Sequence, residues 1–233
     1  MSKQLTPMSF LTKIQERIEA MKVSLERSSS FDPTRFEDPI ASQTAWGPAK
    51  GGGANFKTHR MEVVSDTRIK FKASIGMILF SGVFFVTGAA VAIGGGIVGM
   101  MDLGDLAGAN YFLIVFGAIF MAAGGFMYYS STPPIVFDKE ANVFWKGRKD
   151  TRKEVEGSRV KHLVPLEEIH AIQLISEHVS GSESSYYSYE LNVVLKDASR
   201  INVIDHGKLT SIRNDAEALA HFLNIPLWDA LHG

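Results

Sequence analysis

"ASIGMILFSGVFFVTGAAVAIGGGIVGMM" occupies residues 73–101, twenty-nine positions without a charged side chain. A hydrocarbon core about 30 Å thick takes roughly 20 helical residues at ~1.5 Å of rise each. Residues 73–93 already reach that length, and the glycine run at 94–96 is a place where the helix can end or loosen. A second apolar run, "YFLIVFGAIFMAAGGFMYY" at 111–129, has Tyr111 at one end and Tyr128 and Tyr129 at the other. That is the placement of interfacial aromatics. Wrapping two such helices on all sides would need a larger soluble core than a chain of 233 residues supplies. The pattern predicts a two-helix transmembrane hairpin over 73–129, with spans at 73–98 and 111–129.

The first apolar run starts some 70 residues into the chain and is too long for the apolar region of a secretory signal. The connection "DLGDLAGAN" at 102–110 has two aspartates and neither Lys nor Arg. Lys57, Arg60, Arg68, Lys70 and Lys72 precede the first span; Lys139, Lys146, Arg148 and Lys149 follow the second. The positive-inside rule then places both termini in the cytoplasm. No ionisable residue lies within either span, whereas proton and ion pathways usually carry one. The hairpin therefore reads as an anchor rather than a transporter. Gly95 and Gly99 form a GxxxG pair, and Ala118 and Ala122 a small-xxx-small pair. Such spacing lets helices approach closely, first of all each other.

Beyond the hairpin, Pro133 and Pro134 stop the helix and the hydrophobic period falls to two. "PIVF" (134–137) and "VFW" (143–145) flank the turn-rich "DKEAN", which predicts a β-hairpin. "HAIQLISEHV" (170–179) suits a strand better than a continuation of a helix from "PLEEI". In "SYELNVVLKD" (188–197), Tyr189, Leu191, Val193 and Leu195 share one face, with Glu190, Asn192 and Lys196 on the other. "DAS" turns the chain into "RINVIDHG" (200–207). "NDAEALAHFL" (214–223) reads as an amphipathic helix capped by Asn214, with Glu217 at capping-box spacing and a stripe of Ala216, Leu219, Ala220 and Leu223.

Taken together, "VPLEEIHAIQLI" (164–175), "YELNVVLKDASRINVI" (189–204) and "DAEALAHFL" (215–223) behind two membrane helices resemble the bacterial pleckstrin-homology-like (PH-like) domains of small membrane proteins. The resemblance covers about 134–223 and is one of pattern. It implies a curved antiparallel sheet plugged by a helix, binding of proteins or lipids, a role in assembly without catalysis, and residence in a cell inner membrane. The expected fold class is an α+β membrane protein: the transmembrane hairpin plus a cytoplasmic PH-like antiparallel β-sheet at 133–233, closed by a C-terminal helix.

Ahead of the hairpin, residues 1–30 contain an amphipathic helix with Leu11, Ile14, Ile18, Met21 and Leu25 at 3–4 spacing. That stripe suits packing on the chain's own cytoplasmic domain, pairing with a partner helix or a second copy, or lying on the membrane surface. Residues 31–72 read as linker with possible short strands: "SSSFDPTRFEDP" (28–39) is punctuated by Ser and Pro, while "FKTHRMEVV" (56–64) and "RIKFKAS" (68–74) have strand character and can extend the later sheet. In "WGPAKGGGANF" (46–56) the lysine precedes the glycines, so the run reads as a turn and not as a phosphate-cradling loop.

A net charge of −1 gives no reason to expect a nucleic-acid partner. Cysteine is absent, so thiolate metal sites and disulfides are too. The seven histidines show no HExxH spacing. His170 and His178, if they share a strand, stand about 27 Å apart and cannot ligate one metal. Asp205–His206 beside Gly207 reads as a strand end, and "HVSGSESSYYS" (178–188) as a mobile loop with Tyr186 and Tyr187 as candidate recognition residues. No catalytic residue, metal ligand or cofactor is expected. The segment 146–161 carries seven Lys or Arg against three acids. Lys146, Arg148, Lys149, Arg152 and Lys153 are therefore candidate contacts to anionic lipid, each worth roughly 1 kcal/mol near a membrane surface. The leading expectation is a protein-interaction or assembly module on a membrane anchor; the alternative is a membrane-surface sensor of anionic lipid.

Overall fold

The computed structural model describes residue 15 and residues 31–49, 51–101, 107–147, 162–180 and 185–231. They fall into two compact units. The first gathers the described residues through 57, 61–70 and those from 135 onward; the second holds 58–60 and 71–134. The stripe Leu11, Ile14, Ile18, Met21 and Leu25 lies outside the described residues, as do Arg148, Lys149, Arg152 and Lys153.

Among the described residues, nine strands form two sheets. The five-stranded sheet runs in chain order: β1 (His59–Ser65), β2 (Arg68–Ala73), β3 (Ile135–Asp138), β4 (Val143–Lys146) and β5 (His162–Pro165). The four-stranded sheet has the order β8 (Arg200–His206), β7 (Ser185–Leu195), β6 (Ile169–Ser180), β9 (Leu227–Asp229). The strands ahead of the apolar hairpin thus share a sheet with those behind it. Lys139 N–H donates to Thr67 O at 2.8 Å, so the start of β2 meets the end of β3 and the two run antiparallel. Arg68 clips the same ends together through a hydrogen-bonded ion pair with Asp138, whose side chain is buried.

The β3–β4 hairpin forms where the turn residues predict. Asp138 Oδ1 accepts from Ala141 N–H at 3.1 Å, and Asn142 takes a positive φ of 50°, a conformation asparagine tolerates. Phe137 and Phe144, directly opposite in the register, stack with centroids 4.6 Å apart in the core. Trp145 is buried beside them. β6 and β7 pair from Ile169–Leu195 out to Ser180–Ser185, so the ends of the stretch read as a mobile loop, 178–180 and 185–188, are strand. Gly181 to Ser184 lie outside the described residues.

Of the helices, α1 (Pro39–Gln43) is a single turn capped by Asp38. α2 (Ile75–Met100) and α3 (Ala107–Ser131) make up most of the second unit. α2 runs through the glycines at 94–96 without ending there. Of that run, only Gly95 meets α3, where an added Cβ would come within 2.8 Å of Leu113 Cβ. The tightest approach is at Gly88, where an added Cβ would lie 2.4 Å from Met121 N; a Cβ on Gly117 would lie 2.5 Å from Gly88 O. Gly124 meets the backbone of Phe85 in the same way, at 2.5 Å from its nitrogen. The closest contacts follow a seven-residue spacing, Gly88–Gly95 against Gly117–Gly124, and Gly99 of the GxxxG pair continues the line of Gly95 toward Asn110, where an added Cβ would stand 3.3 Å from Nδ2. Ala118 and Ala122, the other pair read from the sequence, point outward and are exposed.

α4 (Leu209–Leu223) closes the four-stranded sheet, burying Ile212, Ala216, Leu219 and Ala220. It begins five residues before Asn214, at Leu209, and its N-cap residue Lys208 makes no side-chain cap. Burial of Ile212 on the same stripe extends the helix past the expected cap. Its end is as expected of a left-handed residue: Asn224 has φ 56°.

Candidate functional site

One face of the four-stranded sheet packs with α4; the other carries a row of polar side chains beside the buried apolar Ala171, Ile175 and Val194. On β6 and β7, Gln173 pairs with Asn192 and Glu177 with Ser188. The period of two puts these four, with Tyr186 and Glu190, on that second face. Sequence periodicity leaves such a face open to water, yet Gln173, Ser188, Glu190 and Asn192 are all completely buried. The residues covering them come from the segment read as linker and turn.

Residues 45–49 and 51–57 lie on the polar face as a strap, bound almost entirely through their backbone. Ala45 O accepts from Gln173 Nε2 at 3.1 Å, and Gly47 O from Arg200 Nη1 at 2.8 Å. Ala49 N–H donates to Glu190 Oε2 at 2.9 Å. The Glu177 carboxylate takes Gly52 N–H at 3.0 Å and Gly53 N–H at 3.2 Å, while Tyr186 O–H donates to Gly53 O at 2.8 Å. Gly207 N–H donates to Phe56 O, and Lys57 bridges to His206 on β8. Glycine at 53 is required by close approach: a Cβ there would stand 2.0 Å from Ser188 Oγ. The strap then runs into β1.

An aromatic cluster anchors the strap at its N-terminal end. A 3-10 turn (Pro33–Phe36) and α1 present Phe36, Ile40 and Trp46 to buried Ala41, Ala171, Val194 and Trp228. Trp46 stacks on Phe36 at 5.4 Å, lies 5.9 Å from Trp228, and donates from Nε1 to Ala41 O. Asp38 works twice: Oδ1 caps α1 at Ile40 N–H, and Oδ2 lies 2.6 Å from His170 Nε2. Burial pushes the Asp38 carboxyl up, but the His170 ring and the Ile40 N–H outweigh it and hold the group below its ordinary value. Residues 31–49, read as linker, are thus part of the domain, because aromatic burial and capping supply what local periodicity does not.

Beneath the strap runs a hydrogen-bonded network. Arg200 Nη1 and Asn192 Nδ2 both donate to Gln173 Oε1, at 3.1 and 3.3 Å, and Asn192 Nδ2 also donates to Glu190 Oε2 at 3.2 Å. Burial lowers the pKa of Arg200 and the charge of Glu190 opposes that shift; the guanidinium stays protonated throughout the accessible pH range. Two atoms of this floor, Ser188 Oγ and Asn192 Oδ1, are buried without a hydrogen-bond partner among the described residues. An arrangement of paired carboxylates, amides and one guanidinium can recognise a peptide backbone from both its N–H and C=O sides.

The remaining sequence candidates fall elsewhere. Lys146 Nζ donates to Asn202 O at 2.9 Å and Val203 O at 2.8 Å, tying β4 to β8. Its ammonium is thereby engaged with the backbone of β8. The Asp205 carboxylate accepts from Asn202 Nδ2, and the ring of His206 stands 3.6 Å from Asp215 on α4. The contact given between the two neighbours is from His206 Nδ1 to the Asp205 backbone oxygen, at 3.0 Å. Tyr186 does recognise a peptide group, that of the chain's own Gly53; Tyr187 is exposed and packs edge-on to His178. Among the described residues no group of three or more His, Cys, Asp or Glu could hold a metal ion. Compared with family models, curated proteins and solved structures, the chain matches none of them.

Proposed function

We propose that the chain is a two-pass membrane protein whose PH-like domain serves as a non-catalytic interaction or assembly module, with both termini in the cytoplasm. The observation that carries this reading is that the apolar hairpin is inserted between two neighbouring strands of one sheet. β2 leads directly into α2, α3 leads into β3, and β2 and β3 are adjacent. Polar chain on either side of the hairpin must therefore lie on one side of any membrane that it enters. An even number of crossings follows, in accord with the basic flanks on both sides.

Lipid is the covering we infer for the two helices. They are long and apolar enough to span a bilayer, and only 11 % of each apolar window is buried within the chain. A core helix would be mostly buried, and soluble monomers rarely leave an apolar patch beyond a few hundred Å². Two sheets, antiparallel except where β9 runs parallel to β6, with a helix packed on the second near the C-terminal end accord in part with the PH-like pattern, and the buried polar face gives the domain a surface suited to peptide groups. Lys146 donates to the backbone of β8, which supports the interaction-module reading over the alternative lipid sensor at that one cation.

Membrane fractionation with an alkaline carbonate wash, followed by cross-linking in intact membranes, tests the proposal. Retention in the washed membrane and cross-links from the domain to another protein are expected. Partition as a soluble monomer without detergent, or turnover of a nucleotide or ester by the purified protein, would overturn it. Charge reversal at Arg148, Lys149, Arg152 and Lys153 should leave the cross-links in place; their loss would favour the lipid sensor.

A further inference from the structure

We infer that the polar face of the four-stranded sheet is a binding groove for an extended, glycine-bearing segment of a partner protein, and that residues 45–49 and 51–57 occupy it in cis as a displaceable strap. This rests on the interaction-module reading above and names the surface that would serve it.

Three observations carry the inference. First, the groove grips its occupant through main-chain groups: carboxylates of Glu177 and Glu190 for N–H, and Gln173, Arg200 and Tyr186 for C=O. Such contacts do not depend on the side chains of the occupant, so any chain able to come as close satisfies them. Secondly, the selectivity is steric. At the Ser188 position the 2.0 Å approach to Gly53 admits glycine alone, which defines the ligand as a peptide with glycine at that register. Thirdly, the strap leaves Ser188 Oγ and Asn192 Oδ1 buried and unpaired among the described residues. Buried polar atoms in folded proteins are rarely left so, and a segment that also paired them would displace the strap at a favourable balance. An evolved permanent strut would be expected to pair its own floor.

The strap is covalently adjacent to its groove, so its effective concentration there is of millimolar order. A free peptide of intrinsic dissociation constant near 10 μM would then bind the intact chain about 100-fold more weakly than an opened one. Loosening the anchor outside the groove should reveal this. Trp46→Ala removes the stack on Phe36 and the bond to Ala41 O while leaving the floor untouched.

The experiment uses the full chain in detergent and a fluorescently labelled synthetic peptide spanning residues 44–57, read by anisotropy. Trp46→Ala should bind the peptide at least about tenfold more tightly than the natural chain, given the cis competition above. The same peptide carrying Gly53→Ala should not bind. Where circular dichroism shows that Trp46→Ala does not fold, Asp38→Asn, which weakens only the His170 tether and the α1 cap, gives the same comparison. Equal affinity for the natural and loosened chains, binding of the Gly53→Ala peptide, or no binding to either variant would each overturn the groove. If partner cross-links in membranes persist under those results, the interaction-module reading stands and only the groove falls. If carbonate extracts the protein from the membrane, that reading fails regardless of the peptide.

Discussion

Gly53→Ala is the sharpest perturbation of the strap. The new Cβ would fall 2.0 Å from Ser188 Oγ, 2.5 Å from Ser188 Cβ and 3.3 Å from Glu177 Oε2. Ser188 is completely buried between neighbouring strands, so the strap and not the sheet must move. Overpacking of this kind costs about 1–3 kcal/mol. The shift also strains Gly53 N–H to Glu177 and Tyr186 O–H to Gly53 O, each worth about 1 kcal/mol net. A combined local loss near 2–3 kcal/mol corresponds to a roughly 30- to 150-fold fall in hydrogen-exchange protection. It should be confined to the amides around 52–56, because Ala49–Glu190, Gly47–Arg200 and the Trp46 cluster are separate anchors. Ser188→Gly removes both obstructing atoms and breaks no hydrogen bond of Ser188 Oγ. The double variant should therefore recover most of the protection, with a coupling of about 1 kcal/mol or more. Exchange measured by mass spectrometry with residue-level fragmentation decides the matter. Unchanged protection in Gly53→Ala, or additive effects in the double variant, would refute the seating of the strap on Ser188.

Other consequences are as direct. Asp138→Ala leaves Arg68 without its buried carboxylate and should lower the stability of the domain by about 3 kcal/mol, the low end for a buried pair because Arg68 is partly exposed; an unfolding midpoint equal to that of the natural protein would contradict the closure of the sheet across the hairpin. Since Asp38 is held below its ordinary pKa in the folded state, its contribution is present above the unfolded carboxylate value and is lost as pH falls through the folded one. Exchange protection of residues 38–46 should therefore hold down to about pH 4 and decline below it, and Asp38→Asn should remove that step. Gly117→Leu drives a side chain into Gly88 O and Ala92 N and should weaken α2–α3 packing by about 1–3 kcal/mol in a detergent unfolding titration, whereas Ala118→Leu, on the exposed side, should not; equal effects would refute the assignment of the contact face.

Much of the framework was legible. The period-two stretches at 134–145 and 188–207 are β3, β4, β7 and β8, because alternation and turn residues are local signals. The two apolar runs are continuous helices. The candidate site was not legible. The strap recognises its groove through backbone N–H and C=O groups, which every residue carries, so "WGPAKGGGANF" offers no pattern beyond a turn. Glu190 and Asn192 were placed on the correct face, but strand alternation cannot tell a face covered by water from one covered by main chain. On the helix–helix contact, Gly95 and Gly99 do face α3, at Leu113 and Asn110, whereas the pair Ala118 and Ala122 is exposed. Four-residue small pairs are common by chance in glycine-rich spans, while the seven-residue pairing of Gly88–Gly95 with Gly117–Gly124 becomes visible only when both helices are set side by side. Arg68–Asp138 links residues 70 apart, a distance over which no local window reports.

The insertion of a membrane-crossing hairpin into a single sheet is tested most directly by site-specific labelling in intact cells, for which the absence of cysteine from the chain is an advantage. Single substitutions Gly104→Cys, between the spans, and Asp66→Cys and Glu140→Cys, flanking β2 and β3 on either side of the hairpin, would be exposed to a membrane-impermeant maleimide. The account predicts labelling of position 104 from outside, and of positions 66 and 140 together only after permeabilisation. Labelling of 66 and 140 on opposite sides, or of all three from one side, would contradict it.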